Sequence, residues 1–109
     1  MIQPTSDFKA NLALLPSIDG VVRIDLVNTG GAVVDTIENK PGKQGSLAVY
    51  QYLAQTFAQL DADAATHALA VFAEHTEDAK NRPGAHPNID RLLEIAGGSE
   101  PLSVKIITA

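Results

Sequence analysis

The sequence predicts an α+β domain, a small sheet of two or three mainly antiparallel strands with helices packed on one face. Three patterns predict it. Residues 21–27 alternate apolar and polar side chains, and Asn28-Thr29-Gly30-Gly31 then turns the chain into a returning strand over 32–38, which together read as a β-hairpin. Leu47, Tyr50, Leu53, Ala54, Phe57 and Leu60 recur at three- and four-residue steps, the spacing of one buried helical stripe. Period-two alternation then returns over Leu102 to Ile107. The element order is α-β-β-α-α-α-β. A lone hairpin is marginally stable, so all three strands are expected to pair.

Taken in order, Asp7 is placed to cap a short helix running to about Leu15. Phe8, Leu12 and Leu15 share one side of it, and Pro16 ends it. Ser17 to Gly20 forms a turn. In the first strand Val22, Ile24 and Leu26 point one way, with Arg23 and Asp25 toward solvent. Ala32 to Glu38 is the returning strand. Ser46 is the expected N-cap of a helix reaching about Leu60. Asp61 or Asp63 caps the next helix, whose inward face is Ala65, Leu69, Phe72, Ala73 and Thr76 and which stops at Asn81-Arg82-Pro83-Gly84. Asn88 caps a third, with Ile89, Leu92, Leu93 and Ala96 inward and Gly97-Gly98 as its stop. Lys105 of the last strand falls on the polar side with Arg23 and Asp25, while the direction of that strand is not set by periodicity.

Length and composition bound the function. The 109 residues suit one domain, 1–109, with no internal repeat or linker. At 45% hydrophobic and 19% charged residues the composition is globular, and the chain is long enough to bury a core. No cysteine is present, which excludes disulfides and thiolate metal sites. The start lacks a signal-like basic and apolar pattern, and no apolar run reaches the roughly 18–20 residues of a membrane helix. A cytoplasmic protein away from membranes is the expectation. A net charge of −5, from 13 acidic and 8 basic residues, disfavours nucleic acid as a partner.

Two polar segments carry the candidate chemistry. The first, Glu38 to Ser46, holds Lys40, Lys43, Gly42 and Gly45 just before the strongest helical stripe. Free amides and the dipole at a helix start favour anions, so Lys40, Lys43, Gly45 and Ser46 are candidate ligand-binding residues. The spacing fails the P-loop test, because a Gly-Lys-Ser/Thr ending is absent and the lysines lie upstream. The plain alternative is a soluble turn at Pro41-Gly42.

The second segment, residues 74–91, concentrates His75 and His86 among acids and bases. Histidine is the natural general base near neutral pH, so His75 and His86 are the catalytic candidates, with Arg82 and His86 candidates for ligand binding. Glu74, Asp78 and His86 are the metal-site alternative, although no His-Glu-x-x-His motif occurs. The plain alternative here is a solvated helix face with Lys80 and Arg82 complementing its C-terminal dipole. His67 reads as a boundary residue, and Tyr50 and Tyr52 as packing and surface residues. No nucleophilic triad or cofactor motif is present, so no cofactor is expected. If the helix ends share one rim, the two segments meet in a basic patch on an acidic protein.

The stretches Phe8-Lys9-Ala10-Asn11-Leu12-Ala13-Leu14-Leu15-Pro16, Ile37 to Leu47, Phe72 to Ala79 and His86 to Leu93 resemble a family of small bacterial proteins classed as a domain of unknown function. The resemblance covers nearly the whole chain. It implies a bacterial cytoplasmic protein and carries no activity, substrate or site residue.

These readings rank a binding or regulatory module for an anionic small molecule or a protein partner first. A small enzyme acting on an anionic substrate with a histidine base is second. A structural subunit is third, with self-association open to either hairpin edge.

Overall fold

A computed structural model describes all 109 residues. The chain runs α1 (Phe8–Leu12), β1 (Val21–Val27), β2 (Val33–Glu38), α2 (Gln44–Thr56), α3 (Ala62–Phe72), α4 (Glu74–Asn81), α5 (Pro87–Ala96) and β3 (Ser103–Thr108). The sheet is three-stranded in the order β2-β1-β3, and both pairings are antiparallel. This is the α+β class that the alternating and helical patterns predict. The last strand returns beside β1 and places Lys105 opposite Asp25, on the sheet's polar side.

The hairpin register sets Ile24 against Ile37 and Asp25 against Thr36. Ile24 and Leu26 are fully buried, as period two demands. Val22 departs from that pattern. The register slips between Val21 and Arg23, so Val21 turns into the core and Val22 is exposed. A bulge sets two residues of one strand against one of its neighbour, which moves the preceding side chain to the other face.

Helix α2 lies against all three strands and is the centre of the core. Leu47, Val49, Tyr50 and Leu53 are fully or almost fully buried, and each large aliphatic side chain contributes about 2 kcal/mol on leaving water. Tyr52, expected on the surface, is also buried, because α3 covers that side of α2. Its hydroxyl accepts from the Ile2 amide at 3.1 Å and lies 2.7 Å from His67 Nε2. With one lone pair given to Ile2, the phenol's own proton is free to point at the imidazole, and burial holds the His67 pKa below its usual value.

Several helix ends differ from expectation. Lys43, not Ser46, occupies the N-cap of α2, and the helix stops at Thr56 rather than Leu60. His86, not Asn88, precedes α5, with Pro87 in the first turn, where its missing N–H costs nothing. Asp61 does cap α3, accepting from the Ala64 amide at 2.9 Å. Asp7 sits at the α1 N-cap position without a side-chain bond, and α1 ends at Leu12. Its cap arrives from elsewhere: Glu74 Oε1 accepts the Phe8 amide at 2.7 Å.

The one long helix expected from residue 61 to 80 is two helices, which adds an element to the predicted order. The break is Ala73, at φ 52° and ψ −119°, a region that a side chain disfavours. Alanine is held there by ties on both sides. Asn11 Nδ2 donates to the Val71 carbonyl at 2.9 Å, and Thr76 Oγ1 donates to the Leu69 carbonyl at 2.6 Å. These bonds satisfy the last carbonyls of α3 and turn α4 away from its axis. Ala73→Gly removes the steric strain and is expected to stabilise the fold by about 1 kcal/mol. The urea midpoint measures it, and a fall in midpoint would show that Ala73 is not strained.

Candidate functional site

The segment Glu38 to Lys43 is a built loop. Asn39 donates from Nδ2 to the Val21 carbonyl at 2.8 Å and from its amide to the Val22 carbonyl at 3.1 Å, and its Oδ1 accepts from Gln44 Nε2 at 3.0 Å. The Lys43 amide donates to the Lys40 carbonyl at 3.0 Å, closing a turn with Pro41 and Gly42 at its centre. Gly42 has φ +86°, which a type II turn requires at that position. Lys40 pairs with Glu38 at 2.9 Å, and that hydrogen bond and charge hold the Glu38 pKa below its ordinary value. Lys40 is thereby directed away, while Lys43 makes no ion pair.

Across from this loop, α4 and the start of α5 present His75 and His86, whose ring centres are 5.8 Å apart. His86 Nε2 lies 2.6 Å from Asp78 Oδ2, and Arg82 Nε donates to Asp78 Oδ1 at 2.9 Å. The Arg82 and His86 hydrogen bonds, in that order, push the Asp78 pKa well below the carboxylate range. Asp78 therefore stays ionised and accepts a hydrogen bond from His86 Nε2, which leaves Nδ1 for other partners.

The two segments border one cleft of about 550 Å³. Gly42, Lys43 and Ser46 line one side, and His75, His86 and Asn88 the other. The floor is aromatic. Phe8 stacks on the buried Phe72 with ring centres 5.2 Å apart and meets His75 edge-on at 5.0 Å. Asp35 at the β2 edge is the only carboxylate in the lining, and it is bound by Arg91 of α5. Arg91 also donates to Tyr50 Oη at 3.1 Å and Asn88 Oδ1 at 2.9 Å, so one guanidinium joins β2, α2 and α5. The Tyr50 hydroxyl donates to the Asn88 carbonyl at 2.6 Å.

Of the residues singled out from sequence, Lys43, Ser46, His75 and His86 come together in this cleft. Lys40, Gly45 and Arg82 do not line it. Arg82 is occupied by Asp78. Gly45, expected to let a ligand approach the backbone, is approached instead by Phe8: a Cβ there would sit 3.2 Å from the Phe8 ring. The side chains of the metal alternative are engaged with protein partners. Glu74 is committed to the Phe8 amide and Asp78 to Arg82 and His86, and no group of three such side chains is placed to hold an ion. Sequence reasoning missed Asp35, Asn88, Arg91 and the Phe8–Phe72 floor. Only Arg91, three residues after Asn88 on one helical face, left a local trace.

Burial raises the Tyr50 phenol to about 12, with Arg91 opposing and Asp35 assisting. The unfolded phenol ionises near 10, so this contribution to stability is complete below about pH 10 and is lost as pH rises toward 12. Wild type should lose about 1–1.5 kcal/mol more than Tyr50→Phe between pH 9 and 11, half-way through that loss. Urea denaturation of both proteins at pH 9 and 11 reads the difference, and parallel losses would contradict the buried phenol.

The chain matches the profile of a bacterial family described as "Uncharacterized protein conserved in bacteria" (DUF2322) over residues 8–106, and it belongs to that family. No curated protein and no solved structure matches it. No helix is long and apolar enough to cross a membrane.

Proposed function

We propose that this protein is a binding module whose cleft takes a small anionic molecule. One observation carries the reading: Lys43 is unpaired in a cleft whose only carboxylate, Asp35, is already bound by Arg91. On a chain of net charge −5, the balance of charge in this hollow is positive, and it rises further when either imidazole is protonated. The amides of Gln44, Gly45 and Ser46 have no backbone acceptor, so the first turn of α2 adds its dipole to the same side. A volume of about 550 Å³ suits a small molecule. We place this binding in the bacterial cytoplasm, a setting that an acidic, cysteine-free chain suits.

Lys43 is exposed and makes no ion pair, so Lys43→Glu is expected to leave the fold intact. It should weaken inorganic phosphate binding at least tenfold, about 1.4 kcal/mol, in an NMR titration at low salt. Unchanged affinity would remove the reading.

The Asp78–His86 contact favours a second reading, an enzyme on an anionic substrate. Asp78 fixes the imidazole with Nδ1 as the base, the orienting arrangement of a general-base pair. In that case His86→Ala abolishes turnover while anion binding through Lys43 persists.

A further inference from the structure

We infer that the ligand of this cleft is an organic anion with a flat apolar body, an aryl phosphate or its like, and not a bare inorganic ion. The inference rests on the anion reading above and specifies the rest of the molecule. A bare oxyanion displaces only a few waters of about 30 Å³ each, whereas the cleft measures about 550 Å³. Beside Lys43 and the imidazoles the lining carries an apolar group, Phe8, Phe72, Ile37 and Ile89, together with the polar side chains of Asp35, Thr36, Ser46 and Asn88. Phe72, Ile37 and Ile89 are almost fully buried behind the half-buried Phe8, so the aromatic surface that water now touches, and that a ligand body would cover, is the Phe8 ring.

Phe8 is placed to serve both walls. Its ring packs against Gly45 on the loop side, where a Cβ would approach to 3.2 Å, and meets His75 at 5.0 Å on the other. It is backed by Phe72, and its own amide is held by Glu74. The ring therefore lies between the two sets of anion-binding groups and loses little freedom when a ligand arrives. A planar body with an anionic head reaches Lys43 or the imidazoles while its ring lies against Phe8. Asn88 adds a neutral polar group at the rim, where a ligand substituent can find a partner.

The test is an NMR titration of the whole chain with inorganic phosphate, phenyl phosphate and benzyl alcohol. Phenyl phosphate is expected to bind at least tenfold more tightly than inorganic phosphate, with benzyl alcohol weaker than either. In Phe8→Leu, checked for folding by its amide spectrum, the advantage of phenyl phosphate shrinks while inorganic phosphate binds as before. Equal affinity of the two phosphates for the wild type overturns this inference and leaves the anion reading standing. Benzyl alcohol binding as tightly as phenyl phosphate overturns the anion reading and this inference with it, as does the absence of binding by all three. The wild-type comparison decides the matter even if Phe8→Leu does not fold.

Discussion

Asn11→Ala is expected to destabilise the fold by about 3 kcal/mol, a fall in Tm of roughly 15 °C for a domain of this size. Asn11 is fully buried and makes four hydrogen bonds. Its Oδ1 accepts from the Thr5 amide at 2.7 Å and from Thr5 Oγ1 at 2.8 Å. Its Nδ2 donates to the Thr5 carbonyl at 3.0 Å and to the Val71 carbonyl at 2.9 Å. Alanine leaves the buried Val71 carbonyl without its partner, a loss of about 1–3 kcal/mol, and frees the exposed Thr5 segment that Asn11 holds against α1. The damage should not stay local. Asn11 ties α1 to the end of α3, and α1 carries Phe8, so hydrogen exchange should rise at Phe8 and His75 together. A loss below about 1 kcal/mol by urea denaturation would show that the network is not a structural tie.

Arg91→Leu is expected to weaken inorganic phosphate binding about tenfold, although Arg91 does not line the cleft. Its removal turns Asp35 into an uncompensated negative charge within the lining. At a few ångströms and an effective dielectric near 20, such a charge opposes an anion by more than 1 kcal/mol. Asp35→Asn is the opposite experiment. It removes the negative charge and releases Arg91 from its pairing, so phosphate should bind several-fold more tightly. Stability follows a separate course. Arg91→Leu also strips hydrogen bonds from Tyr50 and Asn88 and should cost about 1–2 kcal/mol, moderated because Asp35 is half-exposed. Thermal melts alongside calorimetric titrations separate the two effects. If Arg91→Leu and Asp35→Asn shift affinity in the same direction, the charge balance assigned to the cleft is wrong.

The parts of the fold legible in the sequence are those whose cause is local. The hairpin follows from period-two alternation around Asn28 to Gly31, and α2 from its apolar stripe. The break at Ala73 was not legible, because nothing near Ala73 asks for a positive φ. The cause lies in Asn11, Glu74 and Thr76, whose bonds to Val71, Phe8 and Leu69 exist only in the packed molecule. Asn11 itself left a trace. It occupies the slot between Phe8 and Leu12 on the buried side of α1, where a polar residue needs partners. The bulge that exposes Val22 is likewise a property of pairing with β3.

The candidate site divides in the same way. Lys43, Ser46, His75 and His86 were identifiable because residue type and proximity to a helix end are written in the chain. Their convergence was only a supposition, since periodicity says nothing about which helix ends meet. Gly45 shows how a local rule misleads: a glycine at a helix start suggests ligand approach, and here it receives Phe8. Asp35 was hidden because its role depends on Arg91, 56 residues away in sequence.

The central claim is that the cleft between the Lys43 loop and the histidine pair is an anion site. An amide-resolved NMR titration with inorganic phosphate at low salt, on wild type and Lys43→Glu, tests it most directly. Saturable shifts are expected at Gly42, Lys43, Ser46, His75 and His86 in the wild type, with binding at least tenfold weaker in Lys43→Glu. Shifts confined to the outer face of the sheet, or of equal strength in both proteins, would contradict it.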